Sequence, residues 1–141
     1  MTETPKATRK RMQIILDSNA LFVPVKFNID IFEELKRRSN ANLDPILLSP
    51  VKEELERLAE HGSPRMRKYA AQALKLAEKC AVVDVEAHPN VSVDDLILET
   101  AKEWRTAVFT NDRALRKRLR DINVPVVYVR EKSHLEIEGR I

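Results

Sequence analysis

Short apolar runs of strand length alternate with stretches of helical periodicity along most of this chain. Residues 12–16, 46–48, 81–85, 107–110 and 124–129 read as strands. Between them apolar residues recur three and four apart. Phe32 and Leu35 mark a helix over 29–38. Val51, Leu55 and Leu58 mark one reaching about Glu60. Met66, Ala70, Ala73, Leu74 and Ala77 mark the next. Ile97, Leu98 and Ala101 head inward on a helix that reaches Trp104, and Leu115 and Leu119 do so on a helix over 113–120. Strands apolar on both faces and joined by helices form a parallel sheet covered on both sides. Start signals agree: Ser49–Pro50 and Ser63–Pro64 each place a capping hydroxyl before a proline whose missing N–H is harmless in a first helical turn. A chain of 141 residues is one α/β domain with room for a core.

Four acidic residues each fall where a strand hands over to a helix: Asp17 in IILDSN, Glu54 in SPVKEEL, Asp94 in SVDDLI and Asp112 in VFTND. Open α/β sheets bind ligands beyond the carboxyl ends of their parallel strands. Carboxylates meeting there repel one another unless a hard divalent cation lies between them. Helical spacing sorts core acids from surface acids. Glu54 stands three after Val51 and four before Leu58, on the inward stripe, whereas Glu53 faces outward near Arg57. Asp94 heads the stripe of Ile97, Leu98 and Ala101, with Asp95 beside it as replacement or helper. Each acid also has an ordinary use taken singly. Asp17 suits a turn, Glu54 the edge of a stripe near a helix start, and Asp94 and Asp112 helix caps. Their joint arrival at one sheet edge favours a shared site.

Other chemistries find no support. Gly62 and Gly139 are the only glycines, so there is neither a phosphate-cradling loop nor a dinucleotide fingerprint. His61, His88 and His134 lack metal-ligand spacing, and Cys80 has no histidine partner and no second cysteine to bridge. With only oxygen donors available, the expected metal is Mg²⁺ or Mn²⁺. No apolar run approaches the roughly 18 residues a spanning helix needs. The polar N-terminus carries no signal-peptide core. A lone thiol and these absences lead us to expect the cytoplasm.

The net charge of +3 is carried wholly by residues 1–11, where Lys6, Arg9, Lys10 and Arg11 face Glu3. We expect this segment to be a disordered basic arm, 12–131 the folded domain, and 132–141 an irregular tail. Within the neutral remainder, Arg113, Arg116, Lys117, Arg118 and Arg120 of RALRKRLR surround the inward Leu115 and Leu119. Such a helix suits a phosphate backbone, and equally an ordinary solvated face.

With these residues in view, the sequence resembles the PIN-domain nucleases. The likeness is carried by IILDSNAL, SPVKEELERL, VDDLILETA and VFTNDRALRKRLRDINVPVVYVR, spread over residues 12–130. It is nearest to archaeal and eukaryotic members resembling ribosomal-RNA processing factors, and looser to the toxins of toxin–antitoxin pairs. The resemblance implies a three-layer α/β/α sandwich with a mostly parallel sheet. It implies one or two Mg²⁺ or Mn²⁺ ions held by Asp17, Glu54, Asp94 or Asp95, and Asp112, with Asn19, Thr110 and Asn111 in support. The implied activity is metal-dependent hydrolysis of single-stranded RNA without a covalent nucleophile, the basic helix holding the substrate. It further implies a homodimer, with a ribosomal or antitoxin protein as a second partner. A non-catalytic RNA- or ribosome-binding module is the rival reading, motivated by the basic arm and RALRKRLR.

Overall fold

The computed structural model describes residues 11–39 and 42–140. The elements run β1 (Arg11–Leu16), α1 (Ser18–Phe27), α2 (Ile31–Arg38), β2 (Asn42–Leu48), α3 (Ser49–His61), α4 (Pro64–Ala77), β3 (Ala81–Val83), α5 (Val93–Trp104), β4 (Ala107–Phe109), α6 (Arg113–Asp121), β5 (Val126–Arg130) and β6 (His134–Glu138). Six strands form one sheet in the order β3-β2-β1-β4-β5-β6. All neighbours are parallel except β5 and β6.

Strand order fixes the layers. The chain steps outward from β1 to β2 to β3, then returns to β4 on the other side of β1. Right-handed crossovers in opposite directions put their helices on opposite faces. Accordingly α1, α3 and α4 pack together, and α5 packs with α6. The result is the expected three-layer α/β/α sandwich. Ile14, Ile15, Leu16, Leu47, Leu48, Val108 and Phe109 are completely buried, as befits strands covered on both faces. The strand order reverses between β1 and β4, and at such a reversal ligands bind beyond the carboxyl ends of the strands in this architecture.

Several elements depart from expectation. Helix α1 was not legible, because Pro24 interrupts the apolar stretch ALFVPV and deprives the Ala20 carbonyl of its usual donor. Burial of Ala20, Leu21, Phe22 and Val23, with Asp17 as cap, holds the helix regardless. It ends at Asn28, whose left-handed backbone (φ 54°) sends its N–H to the Pro24 carbonyl at 3.1 Å. Strand β2 starts earlier than 46. Pro45 is tolerated because β3 pairs only with Ile46 to Leu48. Ser49 is already helical rather than a cap. Its hydroxyl instead accepts from Val85 N–H at 3.1 Å, tying α3 to the chain leaving β3.

The residues beyond Lys132, expected to be irregular, form β6. It pairs antiparallel with β5 and buries Leu135 completely. The expected arm over 1–11 lies outside the described residues, except that Arg11 opens β1. Among the described residues no helix is long and apolar enough to cross a membrane.

Candidate active site

Asp17 is fixed from three directions at the end of β1. Its own N–H donates to the Phe109 carbonyl at 3.0 Å, locking it beside β4. One carboxylate oxygen, Oδ1, accepts from Ser18 N–H at 2.8 Å. The other, Oδ2, accepts from the Thr110 hydroxyl at 2.8 Å and from Asn19 Nδ2 at 3.1 Å. Only 5% of Asp17 is exposed, and Thr110 is fully buried. An aspartate so enclosed is expensive to ionise without a partner.

Asn19 and Asn111 build the supporting frame. Asn19 Oδ1 accepts from Asn111 N–H at 2.9 Å, and Asn111 Oδ1 accepts from Val129 N–H at 2.9 Å. These bonds stitch α1, the β4–α6 junction and β5 together. Thr110 Oγ1 also accepts from Asp112 N–H at 3.1 Å, so one hydroxyl positions two of the acids. Asp112 caps α6 by accepting from Leu115 N–H at 3.0 Å through Oδ1.

Ser92, not Asp94, caps α5, by accepting from Asp95 N–H at 3.1 Å. That removes the ordinary capping use of Asp94. Its neighbour Asp95 turns to Arg118, whose Nη2 donates to it at 2.7 Å. The Arg118 bond, helped by Ser92, holds the Asp95 carboxyl below the ordinary range.

The electrostatics join the four strand-end acids. Burial pushes the Asp17 carboxyl up, Thr110 and Ser18 pull it back, and the charges of Asp94 and Glu54 push it up further. Asp94 is raised by burial and then by the charge of Asp112. Arg118 opposes this, while Glu54 and Asp95 add to it. Asp94 and Glu54 thus act on Asp17, and Asp112 and Glu54 act on Asp94. No ion pair among the described residues engages any of the four.

Two observations pull in different directions here. The acids share a field, yet among the described residues no three acidic, histidine or cysteine side chains already close on one coordination shell. The all-oxygen donor set fits a hard divalent cation that retains several waters. A caged Zn²⁺ would need nitrogen or sulfur ligands. The described histidines have other surroundings: His61 is exposed near Glu60, His88 is exposed in the loop before α5, and His134 bonds Ser133 and Glu136 on β6. Burial pushes the Cys80 thiol up to about 11, which makes it a poor nucleophile.

The basic helix divides in two. Lys117 and Arg118 are taken up by Asp121 and Asp95, whereas Arg113 and Arg116 line a cleft beside Asn111. Sequence reasoning passed over the other residues of that cleft. Tyr128 and Arg130 lie two apart on β5, a spacing that gives them a common face and was the available signal.

Residues 14–132 match the family described as a PIN-like domain. The chain is 35% identical over 132 residues to Ribonuclease VapC4 of Methanocaldococcus jannaschii, covering 92% of this chain and 98% of that protein. It is 26% identical over 124 residues to Ribonuclease VapC9 of Archaeoglobus fulgidus, covering 88% and 87%. Among solved structures it resembles the PIN domain endonuclease Utp24, with a TM-score of 0.73 and 26% identity over 92% of this chain and 95% of that one.

Proposed function

The chain belongs to the PIN-like domain family, and on that premise we propose that Asp17, Glu54, Asp94 and Asp112 are the cation-holding carboxylates of a metal-dependent ribonuclease. The observation that carries this reading is a buried Asp17 at the reversal point of the sheet, on which Asp94 and Glu54 act, while Asp112 acts on Asp94; none of the four has an ion pair among the described residues. Nuclease activity agrees with the named ribonuclease relatives and with the endonuclease fold neighbour. Mg²⁺ or Mn²⁺ is our assignment for the ion, from the all-oxygen donor set.

The reaction is hydrolysis: water oxygen bonds to phosphorus, the bond from phosphorus to the 3′-oxygen breaks, and a proton ends on that leaving oxygen. A bound divalent ion supplies Lewis-acid stabilisation of the charge that develops on the phosphate and a more acidic water. The chain's own residues do the positioning. Thr110, Asn19 and Ser18 hold the Asp17 carboxylate in one orientation, with one acceptor position left on Oδ1 for an ion. Thr110 couples that orientation to Asp112. Asp94 completes the principal set from α5, and Glu54 from α3 adds charge or holds a water. Asp95 is committed to Arg118 and is assigned to orienting α5 against α6 rather than to binding the ion.

The test is cleavage of single-stranded RNA with Mn²⁺ by wild type, Asp17→Asn and Asp95→Asn. Wild type and Asp95→Asn should cleave, and Asp17→Asn should not. Equal cleavage by wild type and Asp17→Asn removes the proposed catalyst. The two VapC relatives favour a toxin of a toxin–antitoxin pair as a second reading of the biological role, beside an RNA-processing enzyme. The chemistry is the same in both. A small protein tightly bound to the chain purified from its native source would select the toxin.

A further inference from the structure

A cleft of about 610 Å³ opens beside the acidic site, lined by Asn111, Arg113, Arg116, Tyr128, Arg130 and Lys132 among others. That volume lies in the range of small-ligand sites. Asn111 forms the wall between cleft and acids: it is bonded to Asn19 on one side and to Val129 on the other, and precedes Asp112.

Two features of the cleft are unusual. The Arg116 guanidinium lies 3.9 Å from the centre of the Tyr128 ring, while its Nε is buried without a partner among the described residues. The pair is thus a flat cationic and aromatic platform. The second feature is the turn joining β5 to β6, where Glu131 and Lys132 both have left-handed backbone, φ 55° and 57°. Ser133 N–H closes the turn on the Arg130 carbonyl at 3.1 Å. Asn-Gly or Asp-Gly ordinarily fills such positions, because a side chain there is strained. Bulky charged residues stand there instead, and they bring Arg130 and Lys132 to the rim. Arg113, Arg130 and Lys132 form no ion pair among the described residues, unlike Lys117, Arg118 and Arg120 further along α6.

We propose that this cleft is a nucleotide subsite for single-stranded RNA. One unpaired base stacks on the Arg116–Tyr128 platform, and Arg113, Arg130 and Lys132 grip the backbone phosphates that lead to the acids. Stacking a base on an aromatic or guanidinium plane requires it to be splayed out of a helix, so the subsite selects unpaired RNA. The inference deepens the ribonuclease reading and rests on it for the direction of the strand. Its affinity does not depend on catalysis.

The experiment is fluorescence anisotropy of a labelled oligouridine with the full chain in EDTA, across a salt series. Tyr128→Leu keeps apolar bulk without a ring and should weaken binding about tenfold at unchanged salt slope. Arg113→Ala, Arg130→Ala and Lys132→Ala should each lower the slope of log K against log salt by about 0.7. Lys117→Ala, outside the cleft, should change neither. Duplex RNA should compete poorly. Wild-type affinity for Tyr128→Leu, or wild-type slopes for all three cation variants, overturns the subsite even if RNA is cleaved. The predicted binding pattern without any cleavage in Mn²⁺ sinks the nuclease reading and leaves the subsite standing.

Discussion

Replacing Thr110 with valine removes one hydroxyl and almost no volume from a fully buried position. That hydroxyl donates to Asp17 Oδ2 at 2.8 Å and accepts from Asp112 N–H at 3.1 Å. A hydrogen bond to a charged group contributes about 1.5–3 kcal/mol. Leaving a buried amide unpaired costs about 1–3 kcal/mol. Two effects limit the sum. Asp112 is only half-buried, so water can reach its N–H. Asp17 loses the first of the interactions holding its pKa down and can retain a proton instead. The expected loss in Thr110→Val is therefore about 2 kcal/mol, a sizeable part of the 5–15 kcal/mol typical of a domain. Disturbing the partners of metal ligands usually lowers metal affinity roughly 10–100-fold, and the same is expected here for Mn²⁺. Urea denaturation measures the first effect and calorimetric titration the second. Thr110→Ser is the control: it keeps the hydroxyl and should keep Mn²⁺ affinity, losing about 0.8 kcal/mol for one methyl. Unchanged Mn²⁺ affinity in Thr110→Val would refute the reasoning that this hydroxyl sets the Asp17 orientation.

Other outcomes can be checked alongside. In EDTA, Asp94→Asn should melt above wild type at neutral pH. The folded-state pKa of Asp94 is raised, so the folded protein binds the extra proton and wild type loses stability as pH climbs above the ordinary 3.8. Melts across pH should show the difference closing in acid, and a variant that melts lower throughout would contradict the shared field. Mn²⁺ at about 100 times its Kd should stabilise wild type by about 2.7 kcal/mol, raising Tm by roughly 5–10 °C. That rise should vanish in Asp112→Asn, which can still cap α6. Leu135→Ala should cost about 2–5 kcal/mol by urea denaturation, since β6 buries that side chain completely. A change below about 0.5 kcal/mol would mean that β6 is dispensable.

The layered architecture was legible in the sequence, and the same patterning marked the four acids proposed as the site. Both follow from short-range patterning: period in apolar residues sets strand or helix, and a carboxylate on an inward stripe is visible as an anomaly. Where local and tertiary preference disagreed, the pattern was silent. Helix α1 exists because its buried side chains outweigh Pro24, and β6 because β5 offers an edge for it to pair with. Only the fold brings Arg118 from another helix against Asp95 and leaves its neighbour Asp94 without an ion pair among the described residues. The fold alone also gave Thr110 two acids to position and set Arg116 over Tyr128. The Thr110–Asp17 and Arg118–Asp95 pairings join residues far apart in the chain. Their energies depend on distances of about 3 Å that no one-dimensional spacing encodes.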